Sequence, residues 1–337
     1  MRKDFMQAVI FDIPGEPDVL KVGEVAIPVP GDRQVRIKVA AAGVNRADTL
    51  QRRGKYPPPP GASAILGLEV SGIVDSVGSE CRKWKVGDRV MGLLSGGGYA
   101  QYVIMHEDMV MAVPDSLNLI HAAAIPEVFL TAYQSLVWLA HLHSHEIILI
   151  HAGASGVGTA AIQLALALDA VPIVTASKEK HTLCSQLGAR ATIDYKAQDF
   201  AAAVKAFTGN QGVDVIIDFI GAPYFTKNIE ILRNDGRLIL LATMGGVKVE
   251  EFNLLNILYK RISVMGTTLR ARNSEYQIRL TQEFWKFAKP LFVEGFLRPV
   301  IDKILTIDDA AKAHALLEEN KTAGKILLKM DESLIDH

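Results

Sequence analysis

Cysteine is almost missing from this 337-residue chain, where only Cys81 and Cys184 occur. Two thiols cannot build a disulfide framework or a four-cysteine structural zinc site, so a reducing, cytoplasmic setting is expected. An excess of either charge is missing too. Lys and Arg number 36 against 37 Asp and Glu, which leaves a net charge of -1 and no electrostatic footprint for nucleic acid or an acidic membrane face. Met1 to Ile10 carry Arg2, Lys3 and Asp4 and no long apolar run, so no signal peptide is expected. Internal repeats and low-complexity tracts are absent. Charge also vanishes from Ile147 to Leu168, a stretch long enough to span a bilayer. Glycines at 153, 156 and 158, with Ser155, His151 and Gln163, interrupt it, so a buried strand, a glycine turn and a buried helix account for it better. What remains is a globular composition, 49% hydrophobic and 22% charged, at a length that favours two domains.

Up to about residue 126 the texture is that of β structure. Short β-rich runs (Gln34–Val39, Ile73–Val77, Arg89–Met91 and Tyr99–Ile104) are separated by Gly, Pro and Asp turns. The prolines from Pro57 to Pro60 lack donors and fix φ, so they read as an extended surface loop. From residue 127 the pattern becomes an α/β alternation. A helix over Val128–Ala140 leads into candidate strands Glu146–His151, Val171–Thr175, Ala191–Asp194, Val213–Phe219, Arg237–Ala242 and Ser263–Thr267. Helical stretches such as Gly156–Leu168 and Lys178–Leu187 lie between them. This alternation indicates a doubly wound parallel sheet. A long aromatic-rich helix from Ser274, a helix over Asp308–Glu319 and a strand over Lys325–Lys329 suggest that the chain end returns to the first domain.

The sharpest local signal is Gly153-Ala154-Ser155-Gly156-Val157-Gly158, directly after a strand and opening a helix. A tight turn needs glycine, a pyrophosphate needs bare N–H groups at a helix N-terminus, and close helix–strand packing excludes a Cβ. Ser155 stands where the middle glycine of that pattern belongs; the strand-before, helix-after context restores much of the match. An acid at the end of the second strand would grip the ribose of NAD, whereas Ser177 and Lys180 there favour the 2′-phosphate of NADPH, with Tyr195 able to close over it.

Six ordered segments then carry a resemblance: Gly43-Val44-Asn45-Arg46-Ala47-Asp48, Gly67-Leu68-Glu69-Val70-Ser71-Gly72, Gly87-Asp88-Arg89-Val90, Ala123-Ala124-Ile125-Pro126, the glycine turn, and Asn320 to Ile326. Together they span essentially the whole chain, which resembles the zinc-independent quinone oxidoreductases of the medium-chain dehydrogenase/reductase superfamily. The resemblance implies a GroES-like β-barrel catalytic domain (residues 1–126 and 270–337) and a Rossmann NADPH-binding domain (127–269), with the active site in the cleft between them. It places Asn45, Tyr56 and Thr131 near the nicotinamide, and Ser155, Gly156 and Val157 on the pyrophosphate. Ser177, Lys180 and Tyr195 fall on the adenosine phosphate. Ile220, Met244, Gly245, Leu269, Arg270 and Asn320 complete the cofactor groove. It also implies a homodimer paired through the strand near 263–267.

Zinc-dependent relatives place a thiolate where this chain has Asn45 and a histidine where it has Leu68; neither Asn nor Leu can serve zinc in their stead. Without a Lewis acid, alcohol oxidation is not expected. A quinone is already a strong acceptor and needs mainly binding and orientation. Tyr56 would cover an acceptor stacked on the nicotinamide while Asn45 orients it, and no general base is named. The resemblance implies ortho-quinones as substrates. An NADPH-dependent enone or alkenal reductase is the nearest alternative. A non-enzymatic NADPH-binding structural or RNA-binding protein is the other, its only basic pairs of note being Arg52-Arg53 and Lys260-Arg261. His141, His143 and His145 read as a solvated connector, His151 as a satisfied core histidine, and Tyr276, Phe284, Trp285 and Phe287 as packing residues.

Overall fold

A computed structural model describes residues 4–330, which form two compact units. The first runs to Leu130 and resumes at Arg270; the second runs from Thr131 to Leu269. The change of texture at residue 127 falls inside a helix, Pro126–Tyr133, and the division comes one turn later.

In the first unit β1 (Phe5–Ile10) and β2 (Lys21–Ala26) form an antiparallel hairpin that the composition did not announce. β3 (Gln34–Val44), β4 (Glu69–Val77), β5 (Arg89–Leu93), β6 (Tyr102–His106) and β7 (Val110–Ala112) build the larger sheet. β3 alternates buried and half-buried residues as far as Val39, as a strand with one covered face does. From Ala40 to Val44 every residue is buried, and small side chains let other segments close on both faces. Tyr99 is not part of a strand: its ring turns inward and is fully buried.

The second unit is a Rossmann sheet. β8 (Ile147–Ile150), β9 (Val171–Ala176), β10 (Ala191–Asp194), β11 (Val213–Asp218), β12 (Leu232–Leu240) and β13 (Ser263–Gly266) run parallel in the order β10-β9-β8-β11-β12-β13. β8 is central, so Ile148, Leu149 and Ile150 have no exposed surface; each such burial is worth about 2 kcal/mol. The uncharged run after it is the helix Gly156–Ala167, buried through Ala160, Ala161, Ile162 and Leu164, so the stretch is core. Leu119–Leu139 is the one helical stretch among the described residues long and apolar enough to cross a membrane. It is 72% buried within the protein, which is the character of a core helix. That helix is not uniform: after Tyr133 it widens to a π-turn, with the Ala140 N–H bonded to the Ser135 carbonyl five residues back. β12 starts earlier than the polar Arg233-Asn234-Asp235-Gly236 suggested, because Asp235 takes a left-handed φ of 62° and the run is absorbed as an irregularity.

The chain then returns to the first unit through the helix Ser274–Val293, β14 (Ile301–Thr306), the helix Ala310–Glu318 and β15 (Lys325–Lys329). β14 pairs with β15 in parallel, and β15 lies antiparallel on β3 with Ile326 opposite Val44. That register sets Lys325 beside Asn45, and the site depends on it.

Candidate active site

Because all six Rossmann strands are parallel, their carboxyl ends share one edge of the second unit. Ser155 follows β8, Ser177 follows β9, Tyr195 follows β10, Ile220 follows β11, Met244 and Gly245 follow β12, and Leu269 follows β13. The order reverses between β8 and β11, which is where open α/β sheets bind ligands. Thr131 does not follow a strand but belongs to the helix Pro126–Tyr133, at the start of the second unit.

The glycine turn fits a pyrophosphate. A Cβ on Gly158 would overlap the Ala152 carbonyl, and one on Gly153 would strike Val174, so helix and strand approach as only glycine permits. Ser155 caps the helix by accepting from the Gly158 N–H at 3.0 Å. The N–H groups of Gly156 and Val157, in the first turn, have no helical acceptor and stand at the positive end of a 12-residue helix. Ser155 therefore replaces the missing glycine as a cap rather than as a spacer. Behind the turn, His151 bonds Thr175 at 3.0 Å and Asn228 at 2.8 Å, and Asn228 donates to Asp218 at 3.1 Å. Burial holds His151 down at about 4, so it is neutral: a core histidine that ties the ends of β8, β9 and β11 together.

At the end of β9 the buried Ser177 hydroxyl donates to Glu179 at 2.6 Å. That bond, with Lys196 and Lys180 nearby, holds the Glu179 carboxyl below its usual range. The Lys196 ammonium lies 6.0 Å from the exposed Tyr195 ring. So the cationic cluster contains Lys196, which sequence reading passed over, and an acid closer to Ser177 than its place in the chain suggested.

The first unit holds a denser polar cluster. Asn45 caps the helix Arg46–Arg52, and Asp48 in its first turn accepts the Asn45 N–H at 2.8 Å. The Lys325 ammonium donates to Asn45 Oδ1 at 2.6 Å and the Val44 carbonyl at 2.8 Å, and pairs with Glu69 Oε1 at 2.7 Å. All three of its protons are placed. Asn45 Nδ2 donates to Glu69 Oε1 at 3.0 Å, and Glu69 Oε2 accepts the Glu127 N–H at 2.8 Å. Glu69 has no exposed surface and can lie flat on β3 because position 43 is glycine. Burial, then repulsion from Glu69, pushes the Glu127 carboxyl up to about 8.

Asp48 sits at the end of a buried chain. Arg52 can only donate, so His314 Nδ1 accepts from it (3.3 Å), His314 Nε2–H points to the Tyr99 oxygen (3.2 Å), and the Tyr99 hydroxyl donates to Asp48 Oδ2 (3.1 Å). Burial still pushes Asp48 up to about 6. Arg270 donates to Ser95 O and Gln51 Oε1, its guanidinium lies 5.4 Å from the Tyr56 ring, and Nη1 is buried with no acceptor. An unsatisfied buried cationic donor beside an aromatic ring is a place made for a ligand oxygen. Asn320 accepts from Arg46 at 2.6 Å, which ties the chain end to the Asn45 helix.

Asn45, Tyr56, Arg270 and Asn320 are thus gathered in one unit, and the phosphate-side residues in the other. The roles of Glu69, Glu127, Lys325 and Asp48 escaped sequence reading. Glu69 and Lys325 stood in segments already noted, but their meeting needs the β15–β3 register. The basic pairs are spent internally: Arg52 and Arg53 on Glu318, Lys260 on backbone carbonyls and Arg261 on Asp235. His141, His143 and His145 are exposed, and no group of three or more His, Cys, Asp or Glu able to hold a metal occurs among the described residues.

Comparison with known proteins agrees with this architecture. Residues 31–115 match the alcohol dehydrogenase GroES-like domain family, and residues 156–285 match the family described as zinc-binding dehydrogenase. A quinone oxidoreductase of Sus scrofa is 34% identical over 321 residues, covering 93% of this chain and 94% of its own length. Among solved structures, a quinone oxidoreductase from Coxiella burnetii superposes with a TM-score of 0.82 at 31% identity, covering 97% of this chain and 100% of its own. The CurK enoyl reductase superposes at 0.86 with 26% identity, covering 98% and 100%.

Proposed function

The chain belongs to the zinc-independent quinone oxidoreductases of the medium-chain dehydrogenase/reductase superfamily, and from that premise we propose that it reduces quinones, ortho-quinones above all, at the expense of NADPH. The observation that carries the reading is the Lys325–Asn45–Glu69 cluster. A saturated ammonium holds Asn45 Oδ1 while Nδ2 donates to Glu69 and the Gly43 carbonyl, so a fixed, ion-paired amide stands where a metal-dependent relative would place a zinc ligand.

NADPH, when bound, supplies the reducing electrons. Ser155, Gly156 and Val157 would hold its pyrophosphate, and Ser177, Lys180, Lys196 and Tyr195 its 2′-phosphate. That phosphate would take the Ser177 hydroxyl from Glu179. Thr131, Ile220, Met244, Gly245 and Leu269 would line the rest of the groove. Asn45 would face the acceptor as a fixed amide, Tyr56 would cover its ring and exclude water, Arg270 Nη1 would give a ligand oxygen its missing partner, and Asn320, bonded to Arg46, would complete the cofactor groove. Steady-state assays with an ortho-quinone and an α,β-unsaturated ketone test this: the quinone should win in kcat/KM. A preference for the ketone would favour NADPH-dependent enone reduction, the second reading, which the likeness to an enoyl reductase supports.

The chain would act as a homodimer in a cytoplasmic setting, consistent with two free, buried cysteines. β13 is the sheet's edge, and Leu254, Leu258 and Tyr259 nearby are 72%, 67% and 72% exposed. A second copy pairing along β13 would cover that edge and those side chains.

A further inference from the structure

We propose that a cavity in the first unit binds a small aromatic anion, at a place built from none of the residues assigned above to cofactor or acceptor. The helix Ser274–Val293 lies against β7 and the short turn Glu107–Met109 before it, and between them is a space of about 340 Å³. That falls within the range of small-molecule sites, about 300–1,000 Å³. On the strand side, Val110 and Met111 supply an apolar wall. On the helix side, Thr281, Trp285 and Lys289 recur at intervals of four and so share one face, with Lys286 beside them. The Trp285 ring is held in place: its centroid lies 6.1 Å from that of Phe284 and 5.9 Å from that of Phe292, and both of those rings pack on Phe129. A flat apolar ligand would meet an aromatic ring already fixed.

Two polar features fix the ligand's charge and orientation. Thr281 is 1% exposed, and its hydroxyl has no hydrogen-bond partner among the described residues. A buried hydroxyl left unpaired costs stability, and a ligand oxygen entering beside it would supply the missing bond. Lys286 and Lys289 are exposed at the rim, and neither enters an ion pair among the described residues. Asp108, the acid in the wall, is already met by Arg33 at 2.8 Å and by Lys83. Glu283, on the same helix, is paired with Arg279 at 2.9 Å. The charge left over at the cavity is therefore positive, and a carboxylate on an aromatic ring complements it. An uncharged aromatic would fill the space without meeting the ammonium groups, and an inorganic anion would meet them without filling it.

The probe is naphthalene-2-carboxylate, titrated calorimetrically into wild type, Thr281→Val, and Lys286→Gln with Lys289→Gln; the uncharged naphthalene-2-carboxamide is the control. Wild type should bind one carboxylate per chain with a Kd below about 1 mM, and the amide about tenfold more weakly. The double lysine variant should lose about tenfold for the carboxylate and little for the amide. Thr281→Val should lose about fivefold for both. Thermal unfolding reads folding separately: the lysine variant should melt as wild type does. Thr281→Val should melt at the same temperature or higher, because it removes an unpaired buried hydroxyl. No saturation of wild type up to the solubility limit, equal affinity for carboxylate and amide, or a carboxylate affinity unchanged in either variant would overturn the site. Quinone turnover does not enter the test, so either result leaves the proposed function standing on its own assays.

Discussion

Replacing Lys325 with Met tests whether the buried ammonium organises the site. Met preserves most of the side-chain volume but leaves the Glu69 carboxylate, with no exposed surface, facing Asn45 without a cation. It also removes the donors to Asn45 Oδ1 and the Val44 carbonyl. Breaking one side of a buried pair costs about 3–5 kcal/mol, and at about 2–4 °C per kcal/mol that lowers the melting temperature by about 6–20 °C. Removing both charges should cost far less, so Glu69→Gln with Lys325→Met should recover at least half of the loss. Urea unfolding of wild type, both single variants and the double closes the cycle. A loss below about 1 kcal/mol in Lys325→Met, or a double variant as unstable as the two singles added together, would refute the view that these charges compensate each other.

Lys180→Ala should raise KM for NADPH about tenfold or more while leaving NADH nearly unchanged, and Glu179→Gln should lower KM for NADPH by freeing Ser177; initial-rate measurements with both cofactors check each. Leu258→Glu with Tyr259→Glu should turn a dimer into a monomer in sedimentation velocity; an unchanged dimer would place the interface elsewhere. Glu107 gives an acid-side prediction. Burial works against its charged form, but the Arg82 N–H, the Arg33 guanidinium and the Lys83 N–H outweigh that and bring it down to about 2. A carboxyl depressed in the folded state stabilises at neutral pH, and that contribution, about 3 kcal/mol, is lost as pH falls from about 4.5 towards 2. Glu107→Gln should flatten unfolding free energy against pH in that window.

The Rossmann unit was largely legible because its signals are local. Apolar strands, a glycine turn and the alternation with helices are each read within about ten residues. The first unit was less so. β2 and β14 have mixed, half-exposed faces, and no period betrays them. The parts of the site that came through were those that stand in short ordered segments, such as Asn45 and the glycine turn. Lys325 could not be read as a partner of Asn45, since the two are 280 residues apart and meet only when β15 joins β3. Glu127 had no local sign at all: its backbone N–H meets Glu69, 58 residues earlier in the chain, only once the fold is formed. Glu179 shows the converse, an acid two positions past Ser177 whose side chain reaches back to it.

On the function proposed above, this chain reduces quinones with NADPH and no metal, with Asn45 held by Lys325 at the site. The most direct measurement is NADPH oxidation at saturating ortho-quinone by protein dialysed against a strong chelator, beside undialysed protein. Equal turnover is expected in the two. Turnover that disappears on chelation and returns with added zinc would contradict it.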